Sequence, residues 1–97
     1  MDDAVTQTGR AEQVQAGAEG LDDAAFAAQA RRHYDRIRRL AWHYGMPADE
    51  VDDCVQDVFA RAWRYRRRFR GDAAFGTWLT RIALNSFASR GRKLARR

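Results

Sequence analysis

The stretch from residue 47 to residue 65 carries an apolar stripe that only a helix can bury. Val51, Cys54, Val55, Val58, Phe59, Ala62 and Trp63 recur at steps of three and four. That spacing gathers them on one side of an α-helix and scatters them over both faces of a strand. The same period appears twice more. Phe26, Ala30, Tyr34, Ile37, Leu40, Ala41 and Tyr44 mark a first helix over residues 22–44. Phe75, Trp78, Leu79, Ile82, Ala83, Ser86 and Phe87 mark a third, from about Ala74 to Arg90 or beyond. No stretch alternates with period two, so no strand is expected. The expected fold class is all-α, a compact three-helix domain over residues 22–97.

The punctuation agrees with this division. Asp22 and Asp23 suit the positive N-terminal end of the first helix. Gly45 can take the left-handed conformation that closes it. Pro47 fits the opening turn of the second helix, expected from about Pro47 to Tyr65. Gly71-Asp72 signals a turn, and Asp72 is placed to cap the third helix. Gly91 weakens the end of that helix, so the final RGRKLARR is expected to fray into a basic helix end. Residues 1–21 show no periodicity and read as a disordered leader. That leaves roughly 75 residues for packing, close to the lower limit for a core without staples.

Charge separates along the chain. Residues 1–60 hold 6 Arg/Lys against 12 Asp/Glu, whereas residues 61–97 hold 12 against one. The basic half suits a polyanion, and the acidic half a second, different partner. A single cysteine, Cys54, excludes an internal disulfide and fits a reducing compartment. No apolar run is long enough to span a bilayer and no secretory signal is visible, so a cytoplasmic protein without a membrane partner is expected.

Three groups of residues lie off the apolar stripes. Asp53, Gln56 and Asp57 share a polar face of the second helix and could hold Arg or Lys side chains of a partner. The alternative is a solvated helix face. Arg64, Arg66, Arg67, Arg68 and Arg70 bracket Tyr65 and Phe69. Guanidinium groups beside aromatic rings suit single-stranded nucleic acid. The alternative is a basic helix end that aids solubility, with Phe69 packed inward. On the third helix, Asn85 carries a paired donor and acceptor able to read a base edge. Catalysis finds no support. His33, His43 and Cys54 fit no metal spacing, Ser86 and Ser89 have no base nearby in sequence, and FRGDAAFG lacks the spacing and lysine of a phosphate loop. No enzyme, metal or cofactor is expected.

The segments DDCVQDVFARAW and FRGDAAFGTWLTRIALNSFASRGRKLARR together resemble region two of the bacterial extracytoplasmic-function sigma factors. The resemblance covers about residues 25–97. It implies that Asp53, Cys54, Val55, Gln56 and Asp57 belong to the segment that docks on the clamp helices of core RNA polymerase. It implies that residues 69–75, with Phe69, Arg70, Gly71, Asp72, Ala73 and Phe75, form the loop that makes a pocket for a flipped base of the minus-ten promoter element. Arg68 and Trp78, beside that loop, are also expected to bind DNA. Arg81, Asn85, Arg90, Arg92 and Lys93 fall on the helix that contacts the non-template single strand and its phosphates. An anti-sigma factor is the regulator the resemblance implies.

Three residues depart from the family pattern. Cys54 stands where leucine is usual, Gly76 where a larger residue is frequent, and Ser89 where many members carry aspartate. Gly76 is expected to loosen the start of the third helix. The sequence ends before the family's second helical domain, region four, and both an excised domain and a natural short form fit. The function implied is a transcription initiation domain that binds core polymerase and opens the minus-ten element. The alternatives are a basic helical nucleic-acid binder unrelated to initiation, and a decoy that occupies polymerase without melting promoters.

Overall fold

A computed structural model of the protein describes residues 22–71 and 73–96. Its regular elements are α1 (Asp23–Tyr44), α2 (Val51–Arg64) and α3 (Phe75–Ala95), with short 3-10 turns at Ala48–Glu50 and Arg66–Arg68. No strand occurs among the described residues. The expected leader and the expected cap at Asp72 lie outside them.

Each boundary of α1 has a physical cause. The Asp22 carboxylate accepts a hydrogen bond from the Ala25 backbone N–H at 2.8 Å, satisfying a donor the helix itself leaves open. Gly45 ends α1 at φ 102°, a conformation costly for any residue with a Cβ. The Met46 N–H then reaches back to the Ala41 carbonyl at 3.1 Å, and its side chain is buried against the core.

The second helix begins later than its sequence pattern implies. Pro47 is extended, with ψ 145°, and the 3-10 turn intervenes before α2 starts at Val51. The proline serves the approach to the helix rather than its first turn. The third helix falls within its expected range, to Arg90 or beyond, but the tail expected to fray stays helical through Gly91 to Ala95. Glycine costs a helix about 1 kcal/mol relative to alanine, which is too little to stop one already anchored by packing. A Cβ at Gly91 would meet no atom within 4 Å. The substitution Gly91→Ala is therefore expected to raise stability by about 0.5–1 kcal/mol, read as a higher thermal midpoint.

The core lies where the three helices meet. Ile37 and Ala41 of α1, Cys54, Val55, Val58 and Ala62 of α2, and Leu79, Ala83 and Phe87 of α3 are all fully buried. The stripes placed most of these correctly, but not their edges. Tyr34, Tyr44 and Trp63 stay substantially exposed, while the polar Gln29 is buried.

A second layer of aromatics caps one end of the bundle. Phe75 lies 6.0 Å from Phe26, 5.9 Å from Phe69 and 5.5 Å from Trp78, between ring centroids. Phe26 also meets Trp63 edge-on at 5.3 Å. This cluster ties α1, the end of α2, the following loop and the start of α3 into one unit. Its edge-to-face geometry adds to simple burial.

Gly76 is held rather than loose. A Cβ there would sit 3.0 Å from His33 Cε1 and 3.3 Å from Arg36 Nη2. The small residue lets α1 side chains approach the α3 backbone. Arg36 uses that approach: Nη2 donates to the Gly76 carbonyl at 3.0 Å and Nη1 to Thr80 Oγ1 at 3.0 Å. The loosening expected from glycine is offset by this clamp.

Candidate functional site

The acidic face of α2 is built on the core stripe beneath it. Cys54 and Val55 point inward and are wholly buried, so they support the face without forming its surface. Asp53, Gln56 and Asp57 are exposed above them. Burial is the main influence on the Cys54 thiol and pushes its pKa up. The neighbouring Arg90 charge opposes that rise, and Asp57 and Glu50 add to it. A raised pKa keeps the group a thiol at neutral pH, in line with an inert core position.

The three exposed residues do not form a flat patch. Gln56 leans toward α1, where it lines an open groove of about 700 Å³ with Ala30, Arg31, Tyr34, Asp35 and Phe59. Tyr34 stacks on Phe59 at 5.8 Å, forming an apolar floor. Asp57 leans the other way, toward α3, where it pairs with Arg90. Asp53 stands between them. The surface is a polar ridge with an apolar groove on one flank and an ion-pair cluster on the other. The groove was not foreseen, because periodicity assigned Tyr34 and Phe59 to the core without distinguishing a buried ring from the wall of an open channel.

The basic loop divides into an exposed rim and a buried base. Arg68 and Arg70 are exposed, Gly71 and Ala73 are half-buried, and Phe69 is buried between Phe75 and Trp78. Asp72 lies outside the described residues. Gly71 turns the chain at φ 80°. The inward alternative for Phe69 therefore describes this conformation: Phe69 and Phe75 form the base under the loop, not exposed stacking platforms. Trp78 is half-buried and presents part of its ring. Two arginines are spread over aromatic faces, Arg66 on Trp63 at 3.5 Å and Arg68 on Tyr65 at 4.8 Å.

On α3, Arg81, Asn85 and Arg92 are all exposed and separated by four and seven residues. The 3.6-residue repeat sets them in one longitudinal stripe. Lys93 is exposed beside it. Arg90 is different: by the same repeat it falls on the opposite side of the helix, facing α2. It is half-buried, and its pKa is raised, first by the hydrogen bond to Asp57. A cleft of about 190 Å³ opens here between α2 and α3, lined by Asp57, Arg61, Ser86, Ser89, Arg90, Lys93 and Leu94. Sequence spacing could not have paired Arg90 with Asp57, since 33 residues and a loop separate them.

Residues 30–97 match the sigma-70 region 2 family. The chain belongs to that family. Its sigma factor relatives include the ECF RNA polymerase sigma-E factor of Escherichia coli K12, 38% identical over 86 residues, covering 89% of this chain and 42% of the relative. A second is the RNA polymerase sigma factor NccH of Alcaligenes xylosoxydans xylosoxydans, 41% identical over 64 residues, covering 66% of this chain and 34% of that one. Among solved structures, CnrH in complex with the cytosolic domain of CnrY matches at TM-score 0.69 and 34% identity, covering 86% of this chain and 53% of that one. The chain spans less than half the length of the curated sigma factors it matches.

The chain is thus a sigma-70 region 2 domain, similar over less than half their length to proteins named as RNA polymerase sigma factors. Among the described residues, no cluster of three or more His, Cys, Asp or Glu is arranged for a metal. No described helix is long and apolar enough to cross a membrane.

Proposed function

We propose that this domain binds core RNA polymerase through the α2 ridge and captures the non-template strand of the minus-ten element through the basic loop and α3. The observation that carries this reading is the separation of exposed charge. Acidic and amide groups crown α2, while the rim of the loop and the outer stripe of α3 are basic, in a chain of the sigma-70 region 2 family.

The mechanism is binding without bond chemistry. Arg68 and Arg70 attract the strand's phosphates to the loop. A base leaving the stack enters between the loop rim, at Gly71 and Ala73, and the exposed part of Trp78. Phe69 and Phe75 hold that rim in place from below. Extruding a base costs a few kcal/mol, and contacts in the pocket together with phosphate contacts along Arg81, Asn85, Arg92 and Lys93 offset it. Asn85 is the residue on the stripe able to read a base edge.

The groove between α1 and α2 suits an amphipathic helix of a partner, with polar contacts to Gln56 and apolar ones to Phe59. Clamp helices of core polymerase are the proposed occupant. A regulator of the anti-sigma kind would compete for the same surface, and the complex of CnrH with the cytosolic domain of CnrY supports such a partner. A decoy that occupies polymerase alone would not need the retained FRGDAAF loop.

Asp53 offers the cleaner test of docking, since Asp57 is already engaged by Arg90. Asp53 is exposed on the ridge between Gln56 and Asp57. Reversing its charge in Asp53→Arg is expected to weaken core polymerase binding by about 1–3 kcal/mol, with helicity unchanged by circular dichroism. Unaltered affinity in the folded variant would remove the ridge from the docking surface.

A further inference from the structure

The family resemblance places Arg90 with the DNA contacts. We propose instead that Arg90 is a positioning residue of the docking ridge, holding Asp57 in place through a pair that it shares with Glu50. This rests on the reading of the α2 ridge as the polymerase-docking surface.

The geometry is specific. Arg90 Nη1 donates to Glu50 Oε1 at 2.6 Å, and Nη2 pairs with Asp57 Oδ2. One guanidinium therefore spans from α3 to both the turn before α2 and the middle of α2. The Arg90 and Glu50 side chains are 21% and 16% exposed, whereas Asp57 is 53% exposed. Arg90 and Glu50 form a sheltered base, and Asp57 projects from it with more than half its surface open to a partner. Charge-assisted bonds in partial shelter are stronger than exposed ones, and the forked guanidinium can fix two carboxylates at once.

The pairing points the same way. The carboxylates of Glu50 and Asp57 engage both terminal nitrogens of Arg90, so this guanidinium is committed within the fold, while Arg61 and Lys93 line the same cleft. A phosphate approaching Arg90 would have to displace one of those carboxylates. The helix adds a third argument, because Arg90 lies opposite the stripe of Arg81, Asn85 and Arg92.

The test compares the full chain with Arg90→Ala, Arg90→Lys, Asp57→Asn and the Arg90→Ala/Asp57→Asn pair. Each is measured for affinity to bacterial core RNA polymerase and for the salt slope of single-stranded DNA binding. Arg90→Ala is expected to weaken polymerase binding roughly fivefold or more, and by less than about twofold when Asp57 is already asparagine. Arg90→Lys should recover part of the loss, since an ammonium can serve one carboxylate but not fork between two. The DNA salt slope should not change. A slope flattened by about 0.7, the value of one lost single-strand phosphate contact, would overturn the proposal. So would an equal loss of polymerase affinity with and without the Asp57 carboxylate. If polymerase binding responds to Asp53→Arg but not to Arg90→Ala, the brace fails and the docking reading stands; if it responds to neither, the docking reading itself fails. Should Arg90→Ala prove unfolded, Glu50→Gln and Arg90→Lys read the same coupling in a more conservative background.

Discussion

Phe75→Ala is expected to lower the stability of the domain by about 3–5 kcal/mol, the usual cost of deleting a large buried ring. Phe75 is 6% exposed and touches Phe26, Phe69 and Trp78, so no single neighbour can collapse into the space it leaves. A small domain commands only about 5–15 kcal/mol in total, so the loss should appear as a sharply lower thermal midpoint. Polymerase binding and DNA capture should fall together. Phe69→Ala makes the informative comparison. Phe69 packs on the same cluster but from the loop side, against Phe75 and Trp78. Its loss should free the loop rim, weakening DNA capture while leaving polymerase binding near its original strength. Equal loss of both activities in Phe69→Ala, in a protein that stays folded, would show that the loop has no separate role.

Single-stranded promoter DNA should bind with a strong dependence on salt. Arg68, Arg70, Arg81, Arg92 and Lys93 are exposed on the loop and α3, without a carboxylate partner among the described residues. If about 4–6 cations meet phosphates, log K falls with log salt at a slope of roughly −3 to −4 on the single-strand coefficient. Between 50 and 200 mM salt that is roughly a hundredfold loss of affinity. Binding measured by fluorescence anisotropy across this range gives the slope directly, and a value near zero would remove the electrostatic mechanism. Asn85→Ala should behave differently. It should leave the slope in place and reduce discrimination among minus-ten sequences by roughly 1–3 kcal/mol. Uniform weakening on matched and mismatched strands would instead make Asn85 a structural or strand-positioning residue.

The helices and the charge division were legible in the sequence because both depend on short-range pattern. Val51 to Trp63 fixes a helix by spacing alone, Gly45 marks its predecessor's end by a conformation other residues resist, and the charge division is a matter of counting. Pro47 and Gly91 were misleading for the same reason. Their propensities are local, whereas the extended approach at Pro47 and the continued helix at Gly91 are set by packing of the elements around them. The site was legible only in part. Asp53, Gln56 and Asp57 were correctly grouped on one side of a helix, but their two flanks depend on what lies beside that helix. The groove floored by Tyr34 and Phe59 needs the packing of α1 on α2. The Arg90 pair needs the packing of α3 on α2, over a separation that no periodicity spans. Phe69 shows the limit most plainly: an aromatic among arginines fits a stacking platform and a buried anchor equally well, and only its burial at 3% exposure separates them.

The central claim is that one small domain joins core polymerase to an opened promoter strand. Photo-crosslinking tests it most directly, with the full chain carrying a reactive group at position 70 or 81, core RNA polymerase, and minus-ten DNA in single-stranded and fully paired forms. The account predicts crosslinks from both positions to the single-stranded non-template strand, within a complex that also contains polymerase, and far fewer to paired DNA. Crosslinks to paired and unpaired DNA alike, or a chain that reaches the DNA without retaining polymerase, would contradict it.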